Sequence, residues 1–396
     1  MMQISPETQL FIREHSSDDV RVLALQAKKY PDIDMPTAIT QIAGRKVAAE
    51  KIPSWWEIEK IWYPKHLSLE QCSSEITARY KARLLQGDSL TDLTGGFGID
   101  CSFLATGFKS ATYVERQEEL CEIAAHNFPV LNLNHINIKN EDGVTYLQAM
   151  SPVDCLFLDP ARRNEHGGKT VAISDCEPNV AELEELLLQK ANRVMIKLSP
   201  MLDLSLALKE LKHTQEVHIL SVNNECKELL ILLGQTSPAE ISIHCVNLFT
   251  KGTQKEQHFV FTREQEQCSE CTYTDSLETY LYEPNASLLK AGAFRSIAAA
   301  YPVRKLHPNS HLYTSDTFIE NFPGRIFRIV NQCSFNKKEV KENLADLKKA
   351  NVTVRNFPAT VAELRKRIHL AEGGDTYLFA STLNNGQKVL IRCEKV

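Results

Sequence analysis

A chain of 396 residues, 43% hydrophobic and 24% charged, has the composition of an ordinary soluble globular protein. It is long enough for two to four domains with a sizeable core. No apolar run approaches the roughly 18 residues of a membrane helix, and the net charge of −5 by itself argues against a nonspecific nucleic-acid binder.

Residues 1–86 read as a helical region. Ser5-Pro6-Glu7 is a helix start with proline at its first position. The first 19 residues lack a basic stretch followed by an apolar one, so no secretory leader is expected. Further helices are expected over Ser16–Tyr30 and Met35–Ile52, with one or two over Ser68–Leu85. Trp55, Trp56 and Trp62 share one segment. They can stack on a base, but such a cluster is more often core packing.

From Ser89 strands alternate with helices. Strands are expected at 89–93, 111–115, 135–140, 153–158, 192–198, 216–222 and 228–233, the last two as a hairpin. That rhythm implies an α/β, Rossmann-like, mostly parallel sheet over 87–277. A further hairpin follows at 241–249 and 256–264. Residues 278–322 form a short separate segment. The tail, 323–396, reads βαβαββ: a strand, a helix over Asn336–Ala350, a strand, a helix capped by Thr360, and a hairpin turning at Asn384-Asn385-Gly386.

Eleven cysteines, an odd number without a framework, read as reduced thiols of a cytoplasmic protein. Cys268 and Cys271 have CxxC spacing, but no second pair or nearby histidine set completes a zinc site, and no metal is expected. Charge is divided unevenly. Arg325–Val396 holds 14 Lys and Arg against 7 Asp and Glu, an excess of +7 that leaves −12 for the rest. An acidic body with a basic tail suggests a tail that meets phosphates.

The chemistry centres on Asp92-x-Thr94-x-Gly96-x-Gly98, between a strand and a helix. Clustered glycines mark a turn that a ligand approaches closely. A dinucleotide fingerprint would run G-x-G-x-x-G and aim a helix N-terminus at a pyrophosphate. Here an acid precedes the glycines and would repel that phosphate. It suits a cationic ligand with a free amine. Glu115 ends the second strand, where an acid can accept from both ribose hydroxyls. Asp142 follows the third strand and can accept from an adenine amino group. The fourth ends in Asp159-Pro160-Ala161-Arg162.

Together these four elements resemble the class I S-adenosylmethionine-dependent methyltransferases over residues 70–235, with Thr94 in place of the usual first glycine. The resemblance implies S-adenosylmethionine as cofactor, held by Asp92, Thr94, Gly96 and Gly98 on the methionine side, Glu115 at the ribose, and Asp142 with Gly143 at the adenine. Asp159, Pro160 and Arg162 would face the acceptor, with Arg163 gripping phosphate. The segment Ser68–Ala82 resembles the entry segment of RNA guanine-N2 methyltransferases of the cap-hypermethylating type, which implies that a helix start near Ser73 closes over the cofactor.

The acceptor atom stays open. Exocyclic-amine enzymes carry Asp/Asn-Pro-Pro-aromatic, and here Arg162 replaces the aromatic residue. The Asp-Pro-Ala-Arg sequence is closer to the uridine-C5 enzymes, but Leu198 stands where their nucleophilic cysteine should be. Ribose 2′-O-methyltransferases use a Lys-Asp-Lys-Glu set, which Asp159, Lys197 and Glu228 would supply with Lys81 or Lys46. A plain ion pair between Lys197 and Asp159 is the bland alternative. Residues 278–396 resemble bacterial methyltransferases that end in a ferredoxin-like piece and a THUMP-like domain. That resemblance implies an RNA partner, tRNA or rRNA, with Arg365, Lys366 and Arg367 as contacts. The reading is an RNA methyltransferase acting on a base amine such as guanine N2. Its rival from another class is a noncatalytic RNA-binding protein that retains the fold.

Overall fold

The computed structural model describes residues 4–162 and 172–396. They divide into two compact units. One is Met1–Gln215 with Leu229–Pro238, and the other is Glu216–Glu228 with Ala239–Val396.

The first unit opens with helices α1 (Pro6–Glu14), α2 (Val20–Leu25), α3 (Met35–Lys51), α4 (Pro53–Trp56), α5 (His66–Gln71) and α6 (Glu75–Ala82). Ser5, Asp19 and Asp34 cap the first three with side-chain oxygens. Then come β1 (Ser89–Asp92), α7 (Ile99–Ala105), β2 (Ser110–Glu115), α8 (Glu118–Val130), β3 (Ile136–Asn140), α9 (Gly143–Ala149) and β4 (Val153–Leu158). A two-residue ladder pairs β5 (Ala161–Arg162) with β6 (Cys176–Glu177). After it follow α10 (Val180–Lys190), β7 (Ala191–Leu198) and α11 (Leu204–Glu210). The chain then turns through β8 (Thr214–Val222) and β9 (Glu225–Gly234), the expected hairpin. The boundary between the units cuts through these two strands.

In the first unit the strand order is β9-β7-β4-β1-β2-β3. Every neighbouring pair is parallel except β9 with β7. This is the expected Rossmann-like α/β sheet. Its central strands read as apolar runs because they are covered on both faces: Cys155–Leu158 and Val194–Leu198 are all buried. One hydrophobic cluster joins Ala48, Ile52, Trp55, Ile61, Tyr63, Leu69 and Ala78 of the helical region to Phe97, Ile99 and Ile123. Trp55 meets Phe97 edge to face, at 5.2 Å between ring centres. Trp62 stacks on His126 at 3.7 Å, and Arg45 lies over Trp56. Packing thus accounts for Trp55 and Trp62.

In the second unit β8 pairs in parallel with β10 (Ser242–Leu248), which pairs antiparallel with β11 (Glu256–Thr262). Next come α12 (Arg263–Cys268), β12 (Tyr280–Pro284), α13 (Ala286–Ala291), α14 (Phe294–Ala300), β13 (Arg304–Lys305) and β14 (Tyr313–Ser315). The tail adds β15 (Gly324–Ser334), α15 (Lys337–Leu344), β16 (Lys349–Val354), α16 (Val361–Ile368), β17 (Ala371–Thr382) and β18 (Lys388–Lys395), the expected βαβαββ order. One seven-stranded sheet, β13-β14-β12-β15-β18-β17-β16, unites the 278–322 segment with the tail, because β12 pairs antiparallel with β15.

One helix ends early. The expected helix over Asn336–Ala350 stops at Leu344, and Lys349 and Ala350 pair instead with Ala371 and Glu372. Ala350 is fully buried there, so a strand partner and a core place override helix propensity. No helix among the described residues is long and apolar enough to cross a membrane.

Candidate active site

The loop after β1 is fixed from three sides. Leu93 N–H donates to Phe157 O at 3.0 Å and Gly95 N–H to Val114 O at 2.8 Å. The Tyr113 hydroxyl donates to Gly96 O at 2.5 Å. Gly96 and Gly98 have φ of +54° and +85°, the left-handed region that favours glycine. Gly98 sits at the N-cap of α7. Thr94, where the family pattern has glycine, puts its hydroxyl to use: Oγ1 accepts the Asp159 backbone N–H at 2.6 Å, tying the β1 loop to the end of β4.

Asp92 is 1% exposed. Its Oδ1 accepts the Thr94 N–H at 2.9 Å. Its Oδ2 is buried and has no hydrogen-bond partner. Burial pushes the carboxyl up to about 8, reinforced by the negative charges of Asp100, Asp159 and Glu115, while the Thr94 N–H pulls the other way. Such a group awaits a donor. Glu115 is buried at the end of β2, and it holds the loop: Oε2 accepts from Gly96 N–H at 2.9 Å and Oε1 from Gln117 N–H at 2.8 Å. Each carboxylate oxygen keeps a second lone pair. Asp142 caps α9, with Oδ1 accepting from Val144 and Thr145 N–H at 3.0 Å each. Gly143 is required for packing, since a Cβ there would stand 2.2 Å from Leu93 O.

Beside this loop lies a charged network. Lys197, at the end of β7, places Nζ 2.5 Å from Asp159 Oδ2, 3.2 Å from Asp100 Oδ2 and 3.0 Å from Ser73 Oγ. Lys81, on α6 and wholly buried, reaches Ser73 Oγ at 2.8 Å and Asp100 Oδ1 at 2.9 Å. Ser73 Oγ donates to Asp100 Oδ2 at 2.7 Å. Burial opposes ionisation of Asp100, but the two lysines and the Ser73 hydroxyl hold its carboxyl well below the usual range. Burial raises Asp159 instead, against the pull of Lys197.

Ser73, Asp92, Thr94, Gly96, Gly98, Glu115, Asp159, Lys81 and Lys197 therefore belong to one linked set of loop and network contacts in the first unit. Pro160 is buried beside Asp159. The backbone of Arg162 pairs with Cys176 in the β5–β6 ladder. Arg163 lies outside the described residues. Lys46 is engaged elsewhere, donating to Ser17 O at 3.2 Å. Glu228 is buried and belongs to the second unit. Asp100 escaped the sequence reading. Its signal was an acid two residues after the last glycine of the turn, easily taken for a helix-start charge. On α16, Arg365 is turned inward to Ala350 O and Glu372, Arg367 lies over the Phe335 ring at 4.1 Å, and Lys366 is exposed.

Comparison with known proteins shows the family of the chain. A crystal structure of a proposed methyltransferase from Porphyromonas gingivalis W83 aligns over 100% of both chains, with a TM-score of 0.87 and 34% sequence identity. The chain belongs to this methyltransferase family. Residues 280–323 match a ferredoxin-like domain family and residues 324–395 a THUMP domain-like family. More distant structures cover 40–51% of the chain, the two that follow 40% each. They include an rRNA methylase from Streptococcus thermophilus (15% identity, 93% of its own chain, TM-score 0.30). Another, from Streptococcus mutans, was solved in complex with SAH (13% identity, 96% of its own chain, TM-score 0.30). No curated protein sequence matches the chain.

Proposed function

We propose that the chain is an S-adenosylmethionine-dependent methyltransferase acting on RNA, at a base exocyclic amine such as guanine N2. The observation that carries the cofactor reading is the buried, unpartnered Asp92 Oδ2 beside a glycine loop at the carboxyl edge of the sheet. Open α/β sheets bind ligands at that edge. A cationic amine supplies the donor and the charge that this carboxylate lacks. Glu115 has lone pairs left for ribose hydroxyls, and Asp142 and Gly143 border the adenine side. S-adenosylmethionine, when bound, supplies a methyl group already activated on a sulfonium.

What remains for the chain is positioning. Thr94 fixes the backbone of Asp159 against the loop, and Lys197 fixes its carboxylate. Asp159 then has an oxygen and the adjoining backbone carbonyl with which to accept the acceptor amine's hydrogens. Lys197 sits between the Asp159 and Asp100 carboxyls, within reach of both, so its place is to orient Asp159. Arg162 and Arg163 follow in sequence and would take phosphate. The RNA reading draws on the THUMP-like match and on the +7 charge of Arg325–Val396. Mass spectrometry of nucleosides from total RNA, with and without the gene, tests the reading. A methylated base nucleoside should vanish with the gene, and an unchanged profile would refute it.

One observation favours a second reading, ribose 2′-O-methylation. Lys81, Asp100, Lys197 and Asp159 form a continuous chain of alternating charge. It approximates the lysine and acid set of those enzymes, and loss of a 2′-O-methylated nucleoside would select it.

A further inference from the structure

The second unit carries a cluster that methyl transfer does not use. On β8, Glu216 and His218 are two residues apart and therefore share a face of the sheet. On β10, His244 stands in register with His218, and their rings stack at 4.3 Å between centres. The ligand atoms of Glu216, His218 and His244 all lie within 4.8 Å of one another. His218 Nε2 is 3.2 Å from Glu216 Oε2. Donors around a tetrahedral zinc ion, with bonds of about 2.0–2.1 Å, stand roughly 3.3 Å apart. On β11, His258 Nε2 lies 3.1 Å from His244 Nδ1.

We propose that Glu216, His218 and His244 bind a divalent transition-metal ion, zinc by preference, with His258 as the hydrogen-bond partner that orients His244. Two imidazoles and a carboxylate are a zinc donor set, and the same ligands suit cobalt and nickel. His244 binds through Nε2 and donates Nδ1–H to His258, the arrangement by which a second residue fixes the tautomer of a ligating histidine. Water fills the fourth position. The ion links β8 to β10 across the parallel ladder, and through His258 it takes in β11. The proposal runs against the expectation, drawn from the isolated Cys268–Cys271 pair, that the chain takes no metal. The sequence signal was Glu-x-His on one strand and histidines at 244 and 258, spaced too far apart to catch the eye.

The test uses the full chain, stripped with a chelator and titrated with zinc by calorimetry and with cobalt by visible absorption. One saturable zinc site is expected, with cobalt d–d bands but no thiolate charge-transfer band. His258→Ala, an exposed position, should weaken zinc by about 10- to 100-fold, as loss of such an orienting partner does. His244→Ala, with folding checked by circular dichroism, should abolish the site. Absence of saturable binding overturns the proposal. So does zinc binding that both variants leave unchanged, or a thiolate band pointing to Cys268 and Cys271.

Discussion

Lys197 Nζ lies 2.5 Å from Asp159 Oδ2, so the carboxylate proposed to face the acceptor is held by a cation from the neighbouring strand. This pair separates the two chemistries. Asp159→Ala should retain S-adenosylmethionine affinity and lose at least about 100-fold in turnover, the scale of a misplaced reacting group. Lys197→Ala should cost less than about tenfold if the acceptor is a base amine. Single-turnover assays on the RNA identified by nucleoside analysis would decide. Severe loss in Lys197→Ala with milder loss in Asp159→Ala would transfer the proposal to ribose chemistry.

Asp92 predicts a pH signature. With its carboxyl at about 8, the free protein keeps this group protonated at neutral pH. Pairing with an ammonium needs the ionised form. Binding should therefore release a proton, and affinity should rise about tenfold per pH unit between 6 and 7 and level off above 8. Calorimetry in buffers of different ionisation enthalpy measures that proton directly. Asp92→Ala should weaken binding about tenfold or more and remove the pH slope.

The same group affects stability with the opposite sign from an ordinary carboxylate. Folded Asp92 binds its proton up to about 8, whereas an unfolded aspartate gives it up near 4. The folded state holds more protons across that window, so the Asp92 contribution favours folding at the acid end and declines as pH rises. Asp92→Asn should flatten that decline in urea denaturation series run from pH 4 to 8. An unchanged slope would mean that Asp92 is ionised throughout.

Lys81 is wholly buried against Asp100 and Ser73. Lys81→Met leaves Asp100 with one fewer cation and should destabilise the first unit by about 3–5 kcal/mol. Adding Asp100→Asn should recover part of the loss, because the uncompensated charge goes with it. Chemical denaturation of the single and double variants checks this. A double variant less stable than the sum of the two singles would contradict it.

On α16 the three basic residues should behave differently. Lys366→Ala and Arg367→Ala should each lower the salt slope of RNA binding by about 0.7–0.9. Arg365→Ala should lower stability more than RNA affinity, since its guanidinium contacts Ala350 O and Glu372. Binding isotherms at several salt concentrations measure this. Removing the tail is a poor substitute, because β15 pairs with β12 and its loss would open the seven-stranded sheet.

Much of the catalytic unit was legible because its signals are local. The strand rhythm and the glycine turn lie within short windows, and the acids mark the ends of the strands they follow. Thr94 was read as a departure within the cofactor loop and not as a tie to β4, since its partner, the Asp159 N–H, lies 65 residues away. Asp100 and Lys81 were hard to place for the same reason: each is an ordinary helix residue until the fold buries it. The proposed zinc ligands sit on strands that meet only through a crossover, and no spacing along the chain records that β10 runs beside β8. The short tail helix failed through competition, because the sheet took Lys349 and Ala350.

Lys81 comes from α6, while the ion pairs it completes belong to α7 and β7. A chain begun at β1 would keep every glycine and acid of the motif, yet leave Asp100 facing solvent without its deepest counterion and strip Phe97 of Trp55. The preceding helices are therefore not a detachable appendix to the enzyme. Anyone grafting this catalytic sheet onto another scaffold, or minimising it for expression, must carry along the segment through Ser73 and Lys81, or supply a substitute cation from the new host.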